Sequence, residues 1–346
     1  MSAHIEPFLT FGLAFSLVYT TACQHSSLVA SHGGNGDGGL VGCSITEFRI
    51  PTSNASPDGI VVGPDGNLWF TETVGKIGSV SPKGKFVEFS LTSDSGVIAG
   101  ITVGADGNLW FTELDGNRIG RITTSGTITE TALSQPAEGS SNWPASIIRG
   151  PDNEIWFSEL RTTSIGRIDS AGALTERQAP VGLGDFGMAT GPDGNVWLAD
   201  TAAGSISGTG YIVSISPSWD TATYTLPTLN AAPDSIVAGP DGNLWFTTSQ
   251  YLGAVTEIGR ITTAGDITEF PLPFASAAEA IAAGTDGLWF TESEGNNIGH
   301  ISLDGQVTEC PIPTPASRPT GIVAGPDGAI WFTESDGNQI GRLATR

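Results

Sequence analysis

The sequence predicts an all-β protein: a seven-bladed β-propeller of four-stranded antiparallel blades, closed into a ring by its N-terminal strand. Three observations predict this fold. A motif reading Gly-Pro-Asp-Gly-Asn-Leu-Trp-Phe-Thr-Glu over 63–72 returns seven times, its copies are spaced by about one blade length, and one missing strand reappears before the first copy. The tryptophans of the seven copies lie 41 to 48 positions apart by subtraction and are Trp69, Trp110, Trp156, Trp197, Trp245, Trp289 and Trp331.

Each repeat divides into four short strands. Its Pro-Asp-Gly-Asn segment is strong turn chemistry, because proline presets φ and glycine accepts a positive φ. The aromatic and β-branched residues that follow suit a strand covered on both faces, as in stacked sheets. Examples of the first, second, third and fourth strands are 59–62, 67–72, 119–122 and 267–273.

The seventh repeat lacks its fourth strand. The chain stops after a third-strand pattern at 340–346, whereas 44–51 carries a fourth-strand pattern ahead of the first complete repeat. Pairing these two segments would complete the blade and remove the exposed edges of an open array. The propeller is therefore predicted to occupy 44–346 as one domain.

Composition excludes one class of partner. The 346 residues carry a net charge of −22 and only 14 Lys and Arg, whereas a nucleic-acid site needs clustered cations. The 47 glycines and 21 prolines recur at fixed places in the repeats, which favours turn-rich β-structure over disorder. We expect a monomer that does not bind nucleic acid.

The N-terminal residues predict export. The apolar stretch 8–22 ends in small residues before Cys23, and its length suits a signal peptide, 1–22, better than a membrane span. Its resemblance to bacterial lipoprotein signals implies lipid attachment at Cys23; the alternative is an ordinary cleaved signal. The Ser/Gly-rich segment 23–43 is typical of a flexible tether. We expect a periplasmic, cell-surface or secreted protein that contacts a membrane only through such a lipid.

The repeated motif, followed by Gly-Asn-x-Ile-Gly-Arg-Ile, resembles the streptogramin lyases, also called virginiamycin B lyases. The resemblance covers 44–346. It implies a seven-bladed propeller. It also implies an elimination that opens the ester of a cyclic depsipeptide antibiotic, using Mg²⁺ together with acid–base histidine and glutamate in blades six and seven.

The chain departs from this family at the residues that carry the chemistry. The family has a histidine before Ala-Ile at the start of blade six, where this chain has Glu279. It has Glu-Pro-His-Gly-Ile at the start of blade seven, where 318–322 reads Arg-Pro-Thr-Gly-Ile. A further family glutamate corresponds to Glu334 with an offset of one position. Three of the four histidines precede the propeller, and the fourth, His300, fills a slot that other blades give to arginine.

The middle residue of each Pro-x-Gly site, or of its equivalent, is predicted to point to the mouth of the central channel. Across the blades these residues are Asp58, Ala99, Ala145, Phe186, Asp234, Glu279 and Thr320, with Arg318 beside the last. The carboxylates of Asp58, Asp234 and Glu279 could hold a hard cation such as Mg²⁺, and crowding could raise the pKa of one of them. The alternative is a hydrated acidic channel mouth.

Two classes of function follow. The first, which we predict, is a ligand-binding or interaction propeller that takes a small molecule, a peptide or a polysaccharide at the channel face. The second is a metal-dependent carbon–oxygen lyase using Glu279, Arg318 and Glu334. A Ser-His-Asp site lacks its histidine. Cys43 and Cys310 fall on neighbouring blades, where we expect their separation to exceed disulfide reach.

Overall fold

The computed structural model describes residues 43–91, 96–134, 141–180, 187–201, 210–250, 256–272 and 277–345. These residues contain 28 strands in seven four-stranded antiparallel sheets, which confirms the seven-bladed propeller. The predicted signal peptide, Cys23 and the tether up to residue 42 lie outside the described residues and stay predictions. No helix in the described part of the chain has the length and apolar character needed to cross a membrane.

We number the blades 1 to 7 by the chain order of their first strands, which contact one another in a closed ring. The strands are β1 (Ser44–Arg49), the outermost strand of blade 7; β2 (Pro57–Val62), β3 (Leu68–Glu72), β4 (Lys76–Val80) and β5 (Phe86–Ser90) of blade 1; β6 (Ile98–Val103), β7 (Leu109–Glu113), β8 (Arg118–Ile122) and β9 (Ile128–Ala132) of blade 2; β10 (Pro144–Arg149), β11 (Ile155–Glu159), β12 (Ser164–Ile168) and β13 (Leu174–Gln178) of blade 3; β14 (Met188–Thr190), β15 (Val196–Asp200), β16 (Tyr211–Ile215) and β17 (Thr221–Thr225) of blade 4; β18 (Ala231–Ala238), β19 (Leu244–Gln250), β20 (Glu257–Ile261) and β21 (Ile267–Pro271) of blade 5; β22 (Ala278–Ala283), β23 (Gly287–Glu292), β24 (Asn297–Ser302) and β25 (Val307–Pro311) of blade 6; and β26 (Pro319–Ala324), β27 (Ile330–Glu334) and β28 (Gln339–Ala344) of blade 7.

The predicted closure of the ring is present. Strand β1 pairs antiparallel with β28, with Ser44 opposite Ala344 and Arg49 opposite Gln339. The carboxylate of Glu47 in β1 also accepts a hydrogen bond of 2.8 Å from the Thr314 backbone N–H, in the connection between blades 6 and 7. Blade 7 is therefore completed by the first strand of the propeller, which pairs with the edge of β28 that would otherwise be exposed.

A recurring contact fixes the second strand of each blade. In six blades the turn aspartate accepts a hydrogen bond of 3.0 to 3.1 Å from the indole of the tryptophan four positions later, as Asp65 does from Trp69. In four blades an arginine of the third strand lies 5.4 to 5.8 Å from the same indole. In blade 6 this slot holds His300, 4.5 Å from the Trp289 ring. The repeated aspartates and the arginine slot are therefore architectural.

Cys43 and Cys310 form a disulfide with a Cα–Cα distance of 5.6 Å, so the expectation that they lie out of reach is wrong. The reason lies in how neighbouring blades meet. The turn before the fourth strand of one blade packs directly on the fourth strand of the preceding blade, as Gly84 of blade 1 packs on Phe48 of blade 7. Cys43 holds this turn position in blade 7, and Cys310 lies in β25 of blade 6. We call each such contact a seam.

Candidate functional site

The candidate site is built on an irregularity in the first strands. In six blades the pairing of the first and second strands shifts register at the Pro-x-Gly site or its equivalent, for example between Pro57 and Ile60 and between Ala278 and Ile281. A β-bulge of this kind bends a strand and re-aims its side chains. The bulges therefore set the predicted channel-mouth residues apart from the regular in-and-out alternation of the strand.

Hydrogen bonds between blades hold these positions in one ring. The Thr333 hydroxyl of blade 7 donates to the Asp58 carbonyl at 2.7 Å, and the Thr247 hydroxyl of blade 5 donates to the Glu279 carbonyl at 3.0 Å. The Ala99, Ala145, Asp234 and Thr320 carbonyls likewise accept a bond from the preceding blade. Phe186 lies outside the described residues. We call the ring of Asp58, Ala99, Ala145, Asp234, Glu279 and Thr320 the axial rim.

Glu279 is the rim residue with the clearest electrostatic perturbation. Burial raises the pKa of its carboxyl above the ordinary range, a hydrogen bond with Ser293 and the positive charge of Arg318 oppose the shift, and the charge of Glu294 adds to it. Arg318 is thus near enough for its charge to act on Glu279, and the role of both residues in a site stays a prediction.

Ser293 and Glu294 are near Glu279 but are not among the site residues predicted from the sequence. They follow β23, whose last residue, Glu292, pairs with Ala278 next to the rim residue Glu279. The end of a second strand meets the start of the first strand in an antiparallel blade. That pairing could have identified both residues, because it brings every turn after a second strand to the rim end of its blade.

Two predicted site residues point into the protein interior. Thr320 is 6 % exposed, and its hydroxyl lies 2.8 Å from the Thr333 hydroxyl. Glu334 is 0 % exposed at the end of β27. Burial and the nearby charge of Glu47 raise its pKa to about 7, and a hydrogen bond with Ser317 opposes the shift. Glu334 thus shares the buried setting of the glutamates that end the second strands of other blades, such as Glu72.

The three carboxylates predicted as metal ligands stand on different blades. Asp58 is half-buried on blade 1, Asp234 on blade 5 and Glu279 on blade 6. No group of three or more His, Cys, Asp or Glu side chains within the described ranges is arranged to hold a metal ion. The described side chains therefore do not form a preassembled Mg²⁺ site, and the cation stays a prediction.

His300 lies away from the rim. Its imidazole contacts the Trp289 ring and lies 3.5 Å from the carboxylate of Asp286, in the turn between the first and second strands of blade 6. That turn is at the opposite end of the blade from Glu279, because the two strands run antiparallel from the rim. Burial lowers the pKa of His300, and Asp286 opposes this. This histidine belongs to the tryptophan contact of its blade.

A model of the virginiamycin B lyase family matches residues 39–141 and 208–346, well over half of the chain. The chain belongs to the virginiamycin B lyase family. The residues between these matches, 142–207, include blade 3 and the first half of blade 4.

Individual members of the virginiamycin B lyase family agree with this assignment. Virginiamycin B lyase from Nocardia farcinica is 33 % identical over 144 residues, which are 41 % of this chain and 47 % of that protein. The chain thus spans about half the length of that relative. The crystal structure of virginiamycin B lyase from Staphylococcus aureus is 32 % identical, with a TM-score of 0.79 over 88 % of this chain and all of that one. The same values hold for its catalytically inactive histidine-to-alanine variant with quinupristin.

Proposed function

We propose that this protein is a ligand-binding member of the virginiamycin B lyase family that holds a small molecule or peptide at its axial rim and leaves it intact. The observation that carries the proposal is the chemistry of the rim in blades 6 and 7. The family resemblance implies histidines at two positions there, and this chain has Glu279 and Thr320. Thr320 is turned inward and bonded to Thr333.

The position of His300 supports this proposal. General-base catalysis needs an imidazole within hydrogen-bond reach of the proton that it removes. The propeller sequence from residue 44 onward contains one histidine, and it contacts Trp289 and Asp286 at the other end of blade 6. In the Staphylococcus aureus relative, a catalytically inactive histidine-to-alanine variant was crystallised with quinupristin. A catalytically inactive relative that is crystallised with quinupristin also supports the proposal.

One observation favours a second candidate, an active carbon–oxygen lyase. Glu279 is a carboxyl with a raised pKa beside the fixed positive charge of Arg318. A carboxylate tuned upward is suited to remove a proton, and a nearby guanidinium stabilises negative charge that develops in the transition state. Glu334, in contrast, is enclosed in blade 7 and presents no exposed surface to a ligand.

Quinupristin is the probe that separates the two candidates. We expect calorimetry to show saturable binding, and mass spectrometry to show intact ligand after prolonged incubation with and without Mg²⁺. Glu279→Gln and Arg318→Ala should each weaken binding by about tenfold, which is ~1.4 kcal/mol. Asp304→Asn, an exposed carboxylate in a turn of blade 6 remote from the rim, is the matched control.

The same experiment can reject the proposal. Ring-opened product whose formation stops in Glu279→Gln would establish the lyase instead. If the protein neither binds nor opens quinupristin, both candidates are excluded for this ligand class.

We also propose that the protein works outside the cytoplasm, carried by the tether 23–43 and anchored when Cys23 bears a lipid. The disulfide between Cys43 and Cys310 supports an oxidising compartment. Fractionation of cells that express the full chain tests this proposal. Recovery with the membranes that is lost in Cys23→Ala is the expected result, and recovery of the reduced protein in the cytosol would contradict it.

A further inference from the structure

The seams between blades follow one rule. In four of them a ring from the fourth strand of one blade lies over the tryptophan of that blade and against a glycine of the next. Phe270 stacks on Trp245 with 5.5 Å between ring centroids, and a Cβ on Gly305 would overlap the Phe270 ring. The ring and glycine pairs are Phe48 with Gly84, Phe89 with Gly126, Tyr224 with Gly265, and Phe270 with Gly305.

Two further seams are filled by different chemistry at the same register. Between blades 3 and 4, Trp219 takes the glycine position and lies 4.8 Å from the Trp156 ring, while Arg177 takes the ring position. Between blades 6 and 7, the disulfide of Cys43 and Cys310 takes both positions. Six of the seven seams therefore carry their own filling.

The seam between blades 2 and 3 lacks such a filling. Thr131 stands at the ring position, opposite Ile119 as Phe89 stands opposite Ile77, and it is exposed. A Cβ built on the facing glycine, Gly172, would meet nothing within 4 Å. Trp110 is partly exposed, whereas the other six repeat tryptophans are at most 6 % exposed.

The gap is a cavity of about 440 Å³ whose lining includes Trp110, Arg121, Ile155, Ile168 and Gly172. We call this cavity the seam pocket. Its arginine is already in the position used in a filled seam. Arg121 lies 5.6 Å from the Trp110 ring and 3.4 Å from the Asp106 carboxylate.

The filled counterpart of Arg121 is Arg260 of blade 5. Arg260 lies 5.5 Å from the Trp245 ring and 5.6 Å from the Phe270 ring. The seam pocket therefore keeps the indole, the guanidinium and the glycine of a filled seam, and only the residue that would supply the ring has changed.

We propose that the seam pocket binds a single aromatic ring, a phenyl or phenol group, carried by a small molecule or by a peptide side chain. The same fold holds phenylalanine or tyrosine rings in four equivalent places. Stacking on an indole and contact with a guanidinium favour an aromatic ring over a saturated one.

The seam pocket is separate from the axial rim. It is formed in part by the turn that contains Asp106 and by 169–172, which lie between first and second strands and between third and fourth strands. The rim is at the other end of the blades, where first strands begin and second strands end. The inference therefore goes beyond the proposed function, and failure of one leaves the other standing.

Titration with p-cresol, followed through the indole N–H signals of the tryptophans in a two-dimensional NMR spectrum, tests the inference. We expect a saturable shift of the Trp110 signal, with a dissociation constant of about 1 mM for so small a ligand. N-acetyltyrosinamide and a tyrosine-containing peptide then distinguish a free small molecule from a peptide source. A titration with glucose tests whether the seam pocket binds a saturated ring instead.

The variants Thr131→Phe and Phe270→Thr test the assignment in opposite directions, by filling the open seam and by opening a filled one. Thr131→Phe should fill the slot and abolish the Trp110 shift, whereas Thr225→Phe adds the same ring to the exposed strand β17 and should leave the shift in place. Phe270→Thr should open a second slot and produce a new shift at Trp245. Glu279→Gln at the rim should change neither signal.

Several results would overturn the proposal. They are no p-cresol shift at Trp110, a shift that persists in folded Thr131→Phe, or tighter binding of glucose than of p-cresol. If Thr131→Phe does not fold, Phe270→Thr provides an independent measurement, and no new shift at Trp245 in that variant would count equally against it.

Discussion

The seam between blades 6 and 7 and the seam between blades 2 and 3 occupy the same position in the repeat and have opposite contents. The first holds the covalent bond between Cys43 and Cys310, and the second holds a cavity of about 440 Å³ beside Trp110. Blade 6 at the first seam and blade 2 at the second nevertheless each keep four strands and the same pairing of their first two strands. The difference teaches that the inner three strands define the propeller, while the outer edge of each blade can change on its own.

The largest expected effect comes from breaking the closed seam. The double variant Cys43→Ser, Cys310→Ser removes a bond that closes a loop of 267 residues in the unfolded chain. We expect the free energy of unfolding to fall by about 4 kcal/mol, as measured by urea denaturation. A reducing agent should have the same effect on the unmodified protein and none on the variant. A loss below about 1 kcal/mol in the variant would show that the pairing of β1 with β28 alone secures this strand.

A pair of glycine variants compares a filled and an open seam directly. Gly265 and Gly172 both have a positive φ, of 98° and 83°, so alanine strains the backbone at each. A Cβ at Gly265 would also overlap the Tyr224 ring, whereas a Cβ at Gly172 would be in open space. We expect Gly265→Ala to cost about 3 kcal/mol and Gly172→Ala about 1 kcal/mol in urea denaturation. Equal costs would contradict our description of the open seam.

A change of pH has the smallest expected effect on the difference between the filled and the open seam. Burial is the main cause that raises the pKa of Glu72, Glu159 and Glu334 to about 7, helped by the neighbouring Glu88, Glu176 and Glu47, respectively. A raised pKa means that the folded protein binds these protons more tightly than the unfolded chain. Their contribution to stability is therefore complete below about pH 4.5 and is lost as the pH rises through about 7.

We expect the midpoint of thermal unfolding to fall by about 5 °C between pH 5 and pH 8. Because alanine at Gly265 or Gly172 replaces none of these carboxyl groups, the difference between the two glycine variants should stay constant to about 0.5 kcal/mol. Calorimetry of all three proteins at both pH values measures this. Glu72→Gln should reduce the pH dependence and Asp304→Asn should not. An unfolding midpoint that rises with pH would show that the carboxyls are ionised in the folded protein.

The architecture could be predicted from the sequence because each repeat carries its own local signals. The Pro-Asp-Gly-Asn turn, followed by alternating contacts of the second strand, identifies seven blades independently of one another. The closure by β1 could also be predicted, because the extra fourth-strand pattern at 44–51 supplies the fourth strand that is missing after β28.

The seams could not be read in this way because they depend on register between blades. Cys43 lies five positions before Phe48, as Gly305 lies five positions before Cys310, and this shared offset was the signal for the disulfide. The rim was predicted more accurately as a set of backbone positions than as a set of side chains. The bulge beside Thr320 turns its hydroxyl toward Thr333, and no residue pattern in the first strand reports that rotation.

The pairing of β1 with β28 also constrains how the molecule is made. The ribosome produces β1 first and β28 last of the 28 strands, so the ring cannot close before β28 has been synthesised. Six blades can assemble as they emerge, but β1 must wait without its partner until translation has passed residue 344. Completion of the seventh blade is thus the last step in forming the ring, because β1 has no partner strand until β28 has been made.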